Sequence, residues 1–450
     1  MIARGHTDEG AQGQRPGLGR GKQFWTVETL TSAPVLMLVS VVLLCAIGLM
    51  MVFSASSMEL VEAGKNPWGE FAHQAVFLAV SWVACLVVAH FGGTPWIEKF
   101  FMVLWVIVVA LLLAALVAGS ESHGATRWLY IGPVSIQPSE FAKIVLIIAA
   151  ARLLAGWERG DYPWLRCMVR MVLFVGVPFL LILLEKDLGT LLILGASIVL
   201  MWILAGARLA YVGIVAAVAV AAIAVLIATA GYRSARFAIW LDPYSDYYGD
   251  GWQLIHGLYA VASGGFWGVG LGNSSQKYSW LPEAENDFIF AILCEEMGFV
   301  GAVFVIGLFA LFGWSGMRIA YQAKERDRVA SLAAYGLTVI ILVQALLNIG
   351  GVLQVLPLSG RPLPFISSGG SSIMATMIMV GLLLGIARDN EGFVADRRAA
   401  DRRAAHRSNL TVLDGGTRPR PAPATGEGTR PGTDGPTYAN RTVDPRKGRR

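Results

Sequence analysis

The chain has 450 residues, 55% of them hydrophobic and only 15% charged. That balance excludes a soluble globular domain and a disordered chain, and it points to a protein with most of its length in lipid. The net charge of +5 does not mark a nucleic-acid binder, because Lys and Arg gather in loops at one set of span ends, as in polytopic membrane proteins.

Residues 1–30 are polar and lack the apolar core and small-residue cleavage site of a signal peptide, so they read as a flexible cytoplasmic arm. Ten apolar segments follow, at 33–54, 71–91, 99–119, 139–155, 168–184, 188–206, 209–230, 287–313, 329–350 and 371–388, each close to the length a bilayer demands. With the N-terminus inside, Lys99, Arg152, Arg159, Arg166, Arg170, Arg208, Arg318, Lys324, Arg326 and Arg328 fall on the cytoplasmic side. The opposite loops carry few cations. The pattern predicts an all-α integral membrane protein, 31–390, with ten transmembrane helices and both termini cytoplasmic. A long extracellular loop, 231–286, joins helices 7 and 8. Loops of that length are functional or disordered, and Trp240, Trp252, Trp267 and Trp280 suit a membrane interface. In the basic tail, 391–450, the repeat Ala395–Ala405 either extends the last helix or lies on an anionic leaflet. Beyond Arg407 the composition predicts disorder. Cys45, Cys85, Cys167 and Cys294 have no metal or disulfide spacing and read as small core residues.

Ionisable residues stand at the outer ends of spans in three places. Glu140 and Lys143, three apart after Gln137-Pro138-Ser139, share a helix face. They form either an internal pair or the cationic foot of an outward cavity. Glu185-Lys186-Asp187 is a charged turn in which Asp187 either caps the next helix or works in a site. Asp287 closes the acidic loop Glu283-Ala284-Glu285-Asn286 and is either a helix cap or a functional carboxylate. Glu295 lies roughly 12 Å further along and is turned away, so Asp287 is a lone acid rather than half of a carboxylate pair. Lys143, Arg127, Arg233 and Arg236 are candidate phosphate ligands.

Nine stretches resemble the SEDS proteins, the bacterial peptidoglycan glycosyltransferases of shape, elongation, division and sporulation. They are Gly48–Ser56, His123–Trp128, Ile136–Lys143, Glu185–Thr190, Gly251–Gln253, Gly268–Ser274, Leu281–Glu283, Asp287–Ala291 and Pro357–Ser372. They cover roughly 33–390 in family order. Leu271–Lys277 before Leu281–Ala284 resembles the division branch, FtsW, more than the elongation branch, RodA. Two positions depart from the family pattern: Lys186 replaces a Pro, and Ser368 stands where many members have Tyr.

The resemblance implies ten transmembrane helices in a bacterial cytoplasmic membrane, at the division septum for the FtsW branch, and polymerisation of lipid II on the outer face. It implies Asp287 as the catalytic residue. Glu140, Lys143 and Trp128 would line the substrate cavity, with Arg127, Gln137, Glu283 and Arg233 as further substrate-binding candidates. A divalent cation (Mg or Mn) at Asp287 is implied, and no organic cofactor. The partners implied are a class B penicillin-binding transpeptidase and other division proteins. A lipid II flippase and a non-enzymatic division scaffold are the competing expectations.

Overall fold

The computed structural model describes residues 32–122, 125–131, 134–213, 217, 237–249, 251–278, 280–281 and 284–414. The expected N-terminal arm, Arg233, Arg236, Glu283 and the end of the tail lie outside the described residues.

Apolar runs bounded by Gly, Pro and charge become helices here, because in lipid only the helical ladder satisfies every backbone group within one segment. In chain order they are α1 (Ala33–Glu62), α2 (Gly69–Phe91) and α3 (Thr94–Ala118). Then come α4 (Pro138–Glu158), α5 (Trp164–Leu184, with a π-turn at Val172–Gly176) and α6 (Leu188–Leu204). The last four are α7 (Trp252–Ser263), α8 (Ile289–Ala323), α9 (Arg328–Val352) and α10 (Gly370–Asp414). Pro occupies the first turn of α1, α3 and α4, where its missing N–H costs nothing.

Seven of these are long and apolar enough to cross a membrane: α1, α2, α3, α5, α8, α9 and the first part of α10. The expected number was ten. α6 is apolar but has only 17 residues, and α4 carries Glu140, Lys143, Arg152 and Glu158. The expected span at 209–230 falls mostly outside the described residues.

The structure corrects the all-α expectation in one place. Residues 120–136 form a three-stranded antiparallel sheet in the order β1 (Ser120–Ser122), β2 (Ala125–Ile131), β3 (Val134–Ile136), with Tyr130 opposite Ser135. The long loop also has structure of its own, a 3-10 turn at Pro243–Asp246 and then α7. The four cysteines are buried and free, as expected. Of a second unit that starts at Asp396, the described residues are helical as far as Asp414.

α8 is not continuous. Gly298 takes φ 66° and breaks the ladder, and the chain after α7 fills the gap. Val269 N–H donates to the Glu295 carbonyl (2.9 Å) and Gly270 N–H to that of Glu296 (3.1 Å). In return, Phe299 N–H donates to the Gly265 carbonyl (2.9 Å) and Val300 N–H to that of Phe266 (3.2 Å). Four backbone groups that would each cost several kcal/mol unpaired in lipid are thereby satisfied.

Side chains finish the junction. Glu295 accepts from Ser274 Oγ (2.5 Å) and Ser275 N (2.8 Å). Glu296 accepts from Ser54 Oγ (2.6 Å) and pairs with buried Lys277 (3.3 Å). A Cβ on Gly298 would run into the Gly268 nitrogen. Gly298→Ala therefore destabilises the purified protein by about 1–3 kcal/mol, from a strained φ plus the clash. Gly307→Ala, in the same helix with nothing within 4 Å, is neutral or stabilising. Thermal midpoints in detergent separate the two.

Candidate active site

The structure brings together the start of α4, the α5–α6 turn, the polar face of α9 and the 353–369 segment. Arg361, 3% exposed, is the centre. Its Nη1 lies 3.3 Å from Glu140 Oε1, and its Nη2 contacts Asp187 Oδ2. Gly189 makes the room: a Cβ there would stand 2.6 Å from the Ser359 carbonyl and 2.8 Å from Arg361 Cγ.

Glu140 also binds Lys143 Nζ at 2.8 Å, one helical turn on. Lys143 is 1% exposed and donates to Gln344 Oε1 at 2.6 Å. Both partners lie in the protein, which is the internal-pair arrangement. Asp187 accepts from Ser139 Oγ (3.0 Å), Gln137 Nε2 (3.3 Å), Thr190 N (3.2 Å) and Thr190 Oγ1 (2.9 Å). The capping reading of Asp187 is therefore correct, and its second oxygen joins the network as well.

Burial alone would raise the Asp187 carboxyl, but the Arg361 and Arg127 guanidiniums and the Thr190 N–H hold it below the usual carboxylate range. Glu185, in the same turn, goes the other way. It is wholly buried, and neither carboxylate oxygen accepts a hydrogen bond among the described residues. Burial, and next the Asp187 charge, push it up to about 8 against the pull of Arg361 and Arg127. Lys186 between them has φ 61°. Proline is fixed near −65°, so a proline at this position requires a different turn.

Asp287 precedes α8 instead of capping it: the N-cap residue is Phe288. This corrects the capping expectation, and the cause is visible in the backbone, which is held from outside the helix. Asn348 Nδ2 donates both to the Asp287 carbonyl (2.9 Å) and to the Arg361 carbonyl (2.8 Å). Ser367 Oγ donates to the Asn286 carbonyl (2.6 Å), and Ser368 N–H to the Glu285 carbonyl (2.9 Å). Asp287 is half-buried, whereas Glu140, Glu185 and Asp187 are fully buried.

Of the other candidates, Gln137 is buried on Asp187, as above. Arg127 is half-buried and reaches the Lys186 carbonyl (2.7 Å), docking the sheet on the charged turn. Trp128, next along β2, belongs to the opposite face of the strand. Arg233 and Glu283 are not described. Among the described residues no group of three or more His, Cys, Asp or Glu could hold a metal.

Arg361, Gln344 and Asn348 were missed from sequence. Gln344 and Asn348 are polar residues four apart in an apolar helix, hence on one face. Arg361 sits in an apolar Pro-rich stretch with no acid nearby in sequence. Both signals were available.

A polytopic helical membrane protein with a buried ion network at one end and a half-open acid beside it defines the class. This chain belongs to the FtsW/RodA/SpoVE family, whose cell cycle protein profile matches residues 34–392. It is 35% identical over 360 residues to stage V sporulation protein E of Bacillus subtilis, covering 80% of this chain and 98% of that one. It is 37% identical over 381 residues to the probable peptidoglycan glycosyltransferase FtsW of Halothiobacillus neapolitanus, covering 83% and 90%. A chain of a peptidoglycan synthase complex that coordinates polymerization and crosslinking superposes with TM-score 0.63 at 28% identity, covering 79% and 97%. The crystal structure of the rod shape determining protein RodA from Thermus thermophilus shares the fold (TM-score 0.57, 23% identity, 79% and 96% covered).

The Glu185 carboxyl has a testable signature. Its folded value lies above its unfolded one, so the folded state binds the extra proton. The stability it contributes is full below about pH 4.5 and is lost as pH rises through about 8. Glu185→Gln should flatten the fall in thermal midpoint between about pH 5 and 8 and leave the variant the more stable protein at pH 9. A parallel decline in both proteins would show that Glu185 is not the titrating group.

Proposed function

We propose that this protein is a peptidoglycan glycosyltransferase that polymerises lipid II at the outer face of the bacterial cytoplasmic membrane, in septal wall synthesis during division. Family membership supports the chemistry, and the relatives named FtsW support the division role. The observation that carries the reading is the exposure of Asp287. Glu140, Glu185 and Asp187 are fully buried, while Asp287, like Glu285, is half-buried, on a backbone fixed at three consecutive residues.

In this reading, the 4-hydroxyl of a GlcNAc attacks the anomeric carbon of a MurNAc on lipid II or on a growing chain. The new bond is oxygen to anomeric carbon, and the bond to the diphosphate breaks. The proton passes to Asp287, and undecaprenyl diphosphate leaves. Most of the acceleration comes from positioning and from cations near the leaving diphosphate. Arg127, at the rim, suits that second task by its planar fork. Lys143, Glu140 and Gln137 act from beneath by holding the site's shape.

The proposal includes ten spans with both termini cytoplasmic. It also includes a class B penicillin-binding transpeptidase as partner, which the likeness to a synthase complex supports.

Asp287→Ala should lower glycan-strand formation from purified lipid II by at least about 10²–10⁴-fold, the usual worth of a general base. Its thermal midpoint should stay near that of the wild type. Undiminished polymer from the folded variant would overturn the assignment. Relocated monomer without polymer, from wild-type protein in liposomes, would favour a flippase instead.

A further inference from the structure

A cavity lies at the end of the bundle opposite Asp287. The 21 residues of α4 span about 31 Å, so its last turn lies a membrane's thickness from Glu140. Trp157, Trp164, Gly206, Ala207, Arg208 and Tyr211 line a cavity there of about 390 Å³.

Trp164 is its hub. It stacks on Tyr211 with ring centroids 5.7 Å apart and meets Trp157 and Trp202 edge-on at 5.0 Å and 5.4 Å. Trp202 is 5% exposed, and its indole N–H has no hydrogen-bond partner among the described residues. Gly206, at φ 77°, turns the chain after α6 and delivers Arg208 to the mouth. Arg208 is exposed, and its guanidinium has no ion pair or hydrogen bond among the described residues.

The nearby acids are already committed. Glu158 takes two bonds from Arg328, at 2.5 Å and 2.7 Å, and Asp161 pairs with Arg159 at 3.3 Å. The mouth is therefore positive. Leu165, Leu204 and Leu209 around it are exposed, as side chains facing hydrocarbon are.

An interfacial aromatic belt accounts for individual rings. It does not account for a walled cavity with an unmatched guanidinium at its entrance. We propose that this cavity binds a phospholipid with an anionic headgroup. Arg208 holds the phosphate in a charge-assisted bidentate contact, Trp164 and Tyr211 flank the glycerol region, and the acyl chains run along Leu204 and Leu209. The site is separate from the one assigned above and does not depend on that assignment.

The test is native mass spectrometry of the delipidated full-length protein in detergent, titrated in turn with phosphatidylglycerol, phosphatidylcholine and inorganic phosphate. The expected result is one phosphatidylglycerol retained at concentrations where phosphatidylcholine is not, with no effect of phosphate. Arg208→Gln should weaken that binding about tenfold, the loss of one charge-assisted contact. Arg166→Gln, on the same end but outside the cavity, should change it less than about twofold, as expected of a solvated surface charge. Thermal midpoints confirm that both variants are folded. Equal retention of the two lipids, competition by phosphate, equal losses in the two variants, or no retained lipid would each overturn the proposal.

Discussion

Burying charge where no water can follow is the constraint on which the site depends. Glu140, Asp187, Lys143 and Arg361 are all 3% exposed or less. Removing an ion from water costs several kcal/mol even after relaxation, so each charge is tolerable only with its partners in place. The network is therefore all-or-none. Arg361 reaches two acids from different helices, Glu140 hands on to Lys143, and Lys143 hands on to Gln344. Four distant parts of the chain must arrive together, and the buried ions fix their register. Such a network does not make the fold stable in itself, since hydrophobic replacements often serve stability as well. It makes the arrangement specific.

The same requirement governs the backbone. α8 breaks at Gly298, and the freed groups are taken up by the chain after α7. At the other end of the same helix segment, Asn286 and Glu285 are held by Ser367 and Ser368, and Asp287 by Asn348. The segment carrying Asp287 is thus fastened at its start and at its break. The bond at Ser368 comes from its backbone N–H, so the serine that departs from the family pattern leaves it intact. The lysine that departs at 186 is different, because its left-handed backbone is one a proline cannot share.

The sequence made the spans legible, because apolar length is a direct physical signal. It also made the Glu140–Lys143 pair and the Asp187 cap legible, because both depend on residues a few positions apart. It also separated Asp287 from Glu295, because helical spacing sets them well apart. Arg361 stayed hidden as a site residue because its partners lie 221 and 174 positions away in the chain. The broken helix stayed hidden for a related reason. Gly298 within an apolar run reads as a tolerated glycine until the segment that fills the break is seen beside it. The small sheet at 120–136 was masked by its mixed, loop-like composition.

These features together set apart two kinds of carboxylate within one cluster. Asp187 is ionised and spent on Arg361 and on the start of α6. Glu185 is driven toward its neutral form by burial and by Asp187's charge. Neither is positioned to exchange a proton freely with a bound hydroxyl, because Asp187's acceptor capacity is committed and Glu185 is sealed from solvent. Asp287 is half-buried beside this network, with its backbone fixed by Asn348 and its charge acting on Arg361. A rigid surround suits the base of the proposed reaction, since much of the contribution of such a group comes from being held in place. In the proposed reaction the charge network contributes indirectly, by fixing the wall beside Asp287.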